Sequence, residues 1–243
     1  MKILDDLIAS LNYDVEVRDI RLGVFQTAVY TRGCGLASTP HGIGHAQGNS
    51  PVREAGFLKK KNSRELIDMV RSKNLFEASI GMAAINSLIE VDIDECRELN
   101  AAVLLGEKGK GKKVAIVGHF PFIPQIKEVC DQVWVIEKNP VEDEYAEEEA
   151  EKLISQADVV GITGMAITNH TLDNLLNYCS PNTYVTILGG TTPLSPVLFD
   201  YGIDSLSGTV VTRPAPVLDA VSQGATYRQL KDVKRLIMER KRG

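Results

Sequence analysis

The stretch VAIVGHFPFIPQI, Val114 to Ile126, decides the fold of this chain. It opens as a buried strand that runs into Gly118. A nucleotide-binding sheet turns at such a point from its first strand into its first helix. A phosphate loop would add further glycines there. This chain supplies His119, Phe120, Pro121, Phe122 and Pro124 instead. The GxGxxG pattern is absent, so a pyrophosphate would lack its close backbone cradle, which argues against a standard NAD site.

Downstream, the rhythm repeats. KKVAIVG (112–118), QVWVIE (132–137), ADVVGIT (157–163), TYVTIL (183–188) and SLSGTVV (205–211) are short runs rich in valine and isoleucine. Most are apolar at consecutive positions, which marks strands covered on both faces of a parallel sheet. PQIKEVC, EDEYAEEEAEKLISQ, TLDNLLNYC and SPVLFDYG lie between them and have helical character. The alternation predicts an α/β fold: a Rossmann-like, doubly wound parallel sheet over residues 101–243, with right-handed crossovers.

Upstream the texture changes. VEVRDIRLG and FQTAVYTR alternate in part around Gly23 and read as an antiparallel hairpin. LASTPHGIGHAQGNSP (36–51) is loop chemistry. SRELIDMVRSK (63–73) reads as a helix capped by Ser63, with Leu66, Ile67 and Val70 on one face. LFEASIGMAAINSLI (75–89) reads as a buried helix whose small residues permit close approach. Strands followed by helices, without βαβ rhythm, predict a separate small α+β domain over residues 1–100. LLGEKGKGKK (104–113) reads as a solvated connection, so the two domains are expected to meet near residues 100–113.

The chain has 243 residues, 44% hydrophobic and 24% charged, with a net charge of −5. That balance disfavours nucleic acid as a partner. No apolar run approaches the roughly 20 residues needed to cross a membrane. The first residues, MKILDDLIAS, suit an amphipathic helix rather than a signal peptide. The four cysteines, Cys34, Cys96, Cys130 and Cys179, form no CxxC pair, which fits a reduced, cytoplasmic protein. Cys130 and Cys179 end apolar helical segments and read as core packing. EDEYAEEEAE reads as an exposed acidic helix face.

Ligands of open parallel sheets bind beyond the carboxyl ends of the strands. Polar and small residues recur there: Gly118, His119 and Phe120; then Glu137; then Thr163, Thr168, Asn169 and Thr171; then Gly189, Gly190, Thr191 and Thr192. Glu137 follows Gly118 by about 20 residues, where dinucleotide and adenosyl sites place a carboxylate for ribose hydroxyls. A solvated strand-end glutamate is the plainer reading. GGTTPLSP (189–196) suits an anion or a capped helix entry, with Ser195 as cap and Pro196 first in the helix. His119 is the candidate catalytic residue, as acid, base or metal ligand, or it fixes the turn. Phe120 stacks on a flat ligand or staples the turn. Cys34, His41 and His45 offer soft donors, but in a Gly-Pro loop with no fixed metal signature.

VAIVGHFPF, VIEKNP, ADVVGITGMAITNHTLDNLL and LGGTTPLSPVLFDYGID, in this order, resemble the proposed heavy-metal chelatase family, long catalogued as a domain of unknown function. The resemblance covers about residues 75–225 and extends more weakly to the N-terminal part, where GMAAINS (81–87) is similar to a family segment. It implies an enolase-N-terminal-like α+β domain packed on the Rossmann-like domain, with the site in the cleft between them. Gly189-Gly190-Thr191-Thr192 stands where the family has Gly-Pro-Ser-Thr, and Asn169-His170-Thr171 where it has Asn-Gly-Thr. The second departure adds the His170 imidazole beside the cleft.

The leading expectation is therefore a protein that binds a small molecule or a heavy-metal chelate between two domains. A divalent transition metal or an adenosyl-type ligand is the expected cofactor. His119, His170, Cys34, His41 and His45 are the metal-ligand candidates. An adenosyl-dependent transferase using Glu137, and a non-catalytic scaffold, are the competing readings. Whether the chain is an enzyme, and whether it forms a homo-oligomer, stay open at this level.

Overall fold

The computed structural model describes residues 2–41 and 50–241. Helix α1 (Lys2–Ala9) buries Ile3, Leu4 and Leu7, the apolar stripe of the expected amphipathic helix. Strands β1 (Asp19–Leu22), β2 (Gln26–Tyr30) and β3 (Cys34–Ser38) form a three-stranded antiparallel sheet. The hairpin read around Gly23 is β1–β2. The loop reading of 36–51 is corrected at its start. Leu36 to Ser38 complete β3, because Leu36 and Ala37 are buried and pair with Ala28 and Thr27.

Two helices follow. In α2 (Ser63–Asp68) the cap is Asn62 rather than Ser63. The Asn62 side chain accepts from Glu65 N–H, and Glu65 accepts from Asn62 N–H, a reciprocal capping box. Ser63 sits inside the first turn and donates to the Tyr13 carbonyl. In α3 (Leu75–Asn86) every residue from Glu77 to Ile85 is buried. A helix enclosed all round needs small residues where neighbours approach. A Cβ on Gly81 would lie 2.1 Å from Val70 N.

The rest of the chain builds one large sheet. Its elements are β4 (Arg97–Glu98), α4 (Ala101–Gly109), β5 (Lys113–Val117), α5 (Ile123–Lys127), β6 (Gln132–Glu137), β7 (Tyr145–Ala146) and α6 (Ala150–Ile154). They continue with β8 (Val159–Thr163), α7 (Met165–Thr168), α8 (Leu172–Asn177), β9 (Tyr184–Leu188), β10 (Ser205–Val211), α9 (Pro214–Ser222) and β11 (Val233–Glu239). The eight-stranded order is β4-β11-β10-β9-β8-β5-β6-β7. β7 through β10 run parallel; β11 and β4 are antiparallel additions at one edge. The chain winds from β5 outward to β7, returns to β8 and winds the other way to β10, so the sheet is doubly wound.

The five apolar runs are all strands. Two other readings change. The supposed linker 104–113 is mostly α4, capped by Asn100, because Leu104 and Leu105 are fully buried. The acidic stretch 142–156 is not one helix face: Tyr145 and Ala146 pair with Ile136 and Glu137 as the edge strand β7, and helix α6 starts at Ala150. One apolar cluster runs through both halves of the chain, from Leu4 and Ile80 to Val160 and Leu206.

A buried carboxylate secures the first half. Glu77, 2% exposed, accepts from Arg53 N–H at 3.0 Å, Arg53 Nε at 2.9 Å, Arg53 Nη2 at 3.0 Å and Ser72 Oγ at 2.7 Å. Burial alone would raise its pKa, but the hydrogen bonds from Arg53 and Ser72 outweigh it and hold the carboxyl at about 2. Glu77→Gln should lower the unfolding free energy at neutral pH by about 2 kcal/mol, the scale of hydrogen bonds to a charged group. A depressed folded-state pKa contributes stability above the unfolded value and loses it as pH falls. The gap between wild type and variant should thus be full above about pH 5 and shrink toward pH 2. Urea unfolding across that range checks this, and a gap that widens on acidification would contradict it.

Candidate functional site

The two windings part between β5 and β8, and there the carboxyl edge opens. Gly118 follows β5 with φ +110°, and a Cβ on it would lie 3.0 Å from the Thr163 Cβ and 3.2 Å from the Phe120 ring. Only glycine fits, on both conformational and steric grounds. Phe120 turns back and stacks on Phe122, with ring centroids 5.1 Å apart. Both rings pack against the apolar cluster that contains Leu188.

A cavity of about 1480 Å³ lies over this edge. Its walls include Gly118, His119, Phe120, Glu137, Thr163, Asn169, Thr171, Gly189, Gly190 and Thr191, all read from the sequence as strand-end candidates. Ser38, Thr39, Pro40 and His41 reach it from the end of β3, and Leu75 from the start of α3. The first half of the chain therefore supplies one wall.

Other candidates lie away from it. Thr168 and Thr192 are buried and do not line the cavity. Thr192 N–H instead closes the turn onto Gly189 O at 3.0 Å. His170 adopts φ +64°, and its Nε2 bonds the Val70 carbonyl at 2.7 Å, so it stitches the sheet to the N-terminal half instead of joining His119. Cys34 packs among Leu36, Val217 and Leu230, and burial pushes its thiol up to about 12. His41 rests against Phe25, with ring centroids 5.2 Å apart. His45 lies outside the described residues. Ser195 makes no cap hydrogen bond; Pro196 alone starts the short helical turn through Tyr201.

The turn after β9 is fastened from below. Thr191, 2% exposed, accepts Ser38 N–H on its Oγ1 at 2.9 Å and donates to Ser38 Oγ at 3.2 Å. Its carbonyl accepts from Asn86 Nδ2 at 3.0 Å, and the same amide bonds the Leu36 carbonyl at 2.8 Å. Asn169 Oδ1 accepts from Thr171 Oγ1 at 2.7 Å, which shapes the loop after β8. Glu137 Oε2 accepts from its neighbour Lys138 N–H at 3.1 Å.

His119 has a partner that sequence reading missed. Its Nδ1 lies 2.7 Å from Glu144 Oε1, and Glu144 Oε2 accepts Val141 N–H at 3.1 Å. The imidazole is 63% exposed, while the Glu144 side chain is only 8% exposed. Burial would raise the Glu144 pKa, but the Val141 N–H and His119 outweigh it and hold the carboxyl below its ordinary value. A carboxylate at Nδ1 orients the ring and leaves Nε2 to accept a proton or to meet a metal. The only signal in the sequence was the glutamate itself, hidden in an acidic run.

The described residues do not fit a metal ion held by protein side chains alone. Among them no three His, Cys, Asp or Glu side chains gather closely enough. Burial also pushes the thiols of Cys96, Cys130 and Cys179 up, the last to about 11, so each resists becoming the thiolate a metal needs.

Residues 100–239 match the model of the DUF364 family and residues 4–89 that of the DUF4213 family, both described as "Putative heavy-metal chelation". The resemblance seen in the motifs is thereby borne out. A crystal structure of a DUF364-family protein of unknown function from Desulfitobacterium hafniense DCB-2 superposes with a TM-score of 0.83 at 26% identity, covering 98% of each chain. Another such protein, from Pyrococcus horikoshii, superposes with a TM-score of 0.83 at 23% identity, again over 98% of each chain. An uncharacterized protein of Methanocaldococcus jannaschii is 29% identical over 159 residues, 62% of this chain and 61% of its own length.

The His119–Glu144 contact predicts a tautomer. With Glu144 ionised, neutral His119 should carry its proton on Nδ1 and leave Nε2 bare. Long-range proton–nitrogen correlation spectra at about pH 8, above the usual histidine range, should show this in wild type and a mixture of tautomers in Glu144→Ala. A proton on Nε2 in the wild type would contradict the assignment.

Proposed function

The chain belongs to the DUF364 family, and on that premise we propose that it binds a small organic ligand, or a heavy metal carried as its chelate, in the cavity between the N-terminal half and the carboxyl edge of the sheet. The observation that carries this reading is the placement of one carboxylate-oriented imidazole, His119, in the wall of a cavity large enough for a sizeable organic molecule. The family models are named for heavy-metal chelation. Among the described residues the protein's own donors are too scattered for a resident ion. A metal that arrives with most of its coordination filled needs only one more donor, and His119 Nε2 can supply it. Phe120 then offers an apolar edge to the ligand, and the polar strand ends offer hydrogen bonds. On this reading the site is a cleft between two units, and the metal is cargo rather than cofactor.

The test compares bare Ni²⁺ with Ni²⁺ presented as its nitrilotriacetate chelate, which leaves coordination positions open. Equilibrium dialysis with metal analysis reads both. The chelate should bind saturably, and His119→Asn, which removes the basic nitrogen but keeps a donor, should weaken it about tenfold. Bare Ni²⁺ should show no comparable site. Chelate affinity unchanged in a folded His119→Asn variant would remove His119 from the reading, and a tight site for the bare ion would overturn the chelate reading altogether.

A further inference from the structure

The cavity is unevenly charged. β10 pairs with β9 only up to Ser207↔Leu188, where β9 ends, so Gly208 to Val211 overrun the edge. Ser207 and Gly208 of β10, with Arg235 and Leu236 of β11, wall off one end of the cavity. Thr209 pairs with Arg235 across these strands. The Arg235 guanidinium lies over the Tyr227 ring, 4.9 Å from its centroid, and donates through Nη2 to the Tyr227 carbonyl at 3.1 Å. Tyr227 is fixed in turn by its hydroxyl contact with Thr209 at 2.5 Å. Arg228 also faces this end. The cavity's carboxylates, Glu137, Glu147 and Glu148, lie by β6 and β7, where Lys138 pairs with Glu147 at 3.9 Å and leaves this end net negative. Four strand spacings of about 4.8 Å, about 19 Å in all, separate β6 from β10 in the sheet order.

Ser207 points to what this end is for. It is 5% exposed, lines the cavity, and its Oγ has no hydrogen-bond partner among the described residues. A buried hydroxyl without a partner carries a free-energy cost that a ligand can remove. Beside it, the turn from Gly189 to Thr192 is closed by Thr192 N–H, which uses neither of the central N–H groups of Gly190 and Thr191. Gly190 is pressed on the Tyr227 ring, where a Cβ would lie 2.7 Å from a ring carbon, so the bare backbone is part of the wall.

We propose that this end of the cavity is an oxyanion subsite, where a carboxylate or phosphate group of the ligand is held by Ser207 Oγ, the Gly190 and Thr191 N–H groups, and the Arg235 and Arg228 side chains. The donor set is that of an anion nest reinforced by guanidinium groups. This rests on the ligand-binding reading above and adds the chemical class: the ligand carries an anionic group remote from the part that meets His119.

Amide shifts of the nitrogen-15-labelled 243-residue chain, titrated with inorganic phosphate and separately with oxalate, test it. The Gly190 and Thr191 amides should shift saturably with at least one of the two, at concentrations up to about 50 mM for so small a fragment. Whichever anion shifts them more names the preferred group. Ser207→Ala and the exposed-site variant Arg228→Gln should each weaken that response about fivefold, as expected for one lost hydrogen bond. No saturable shift at Gly190 and Thr191 with either anion overturns the subsite, as does an unchanged response in both variants. Anion shifts without chelate binding uphold the subsite and overturn only the metal-carrying part of the reading. Chelate binding without anion shifts overturns the subsite alone.

Discussion

The buried hydroxyl and carbonyl of Thr191 hold the two halves of this molecule in register. Three hydrogen bonds engage them, two with Ser38 on β3 and one from the Asn86 amide on α3, which also donates to the Leu36 carbonyl. Each is worth about 1 kcal/mol net; their geometric effect is larger. They fasten the small sheet to the turn that follows β9, and this brings Ser38 to His41 over the carboxyl edge as a wall. His170 adds a second stitch through the Val70 carbonyl. Without these contacts the strand ends would form an open shelf, and the cavity would lose one side.

The sheet was legible because its strands are buried on both faces and so spell continuous apolar runs. QVWVIE and SLSGTVV match β6 and β10 residue for residue. What escaped reading follows a different rule. β11, VKRLIME, is an antiparallel strand near the edge, partly exposed, and interleaves charge with apolar residues. β4 and β7 have only two residues each and carry no pattern at all. The glycines and lysines around 104–113 mask a helix that buries Leu104, Leu105 and Gly109. Asn62 outcompetes Ser63 as a cap because Glu65 lies three residues on and closes the box from the other side.

The candidate site was legible as a place more than as a set of roles. Most of the strand-end residues gather in one cavity because a doubly wound sheet delivers all its parallel strands to the same edge. Roles depend on long-range partners that no local spacing encodes. Glu144 looked like one solvated acid among many, yet the turn from Val141 folds it under His119. His170 looked like a second imidazole for the site, yet a left-handed backbone turns it onto a carbonyl one hundred residues away. Ser207 lies inside an apolar-looking run, and only its place at the last β9–β10 pair, on the cavity wall with an unpartnered hydroxyl, sets it apart. On the proposed reading a ligand carries the metal chemistry named for the family, since the described residues gather no three metal donors and bring to the cavity a carboxylate-oriented imidazole.

Hydrogen exchange of a Thr191→Val variant, read by mass spectrometry against wild type, tests most directly whether the Thr191 contacts form the cavity. The variant keeps the side-chain shape and loses the hydroxyl. Segments 34–38 and 189–192 should exchange faster together, while β5 and β6 keep their wild-type protection, because local opening follows the contacts that are lost. Unchanged exchange in both segments would show that the wall stands without Thr191, and the cavity would then owe its shape to apolar packing alone.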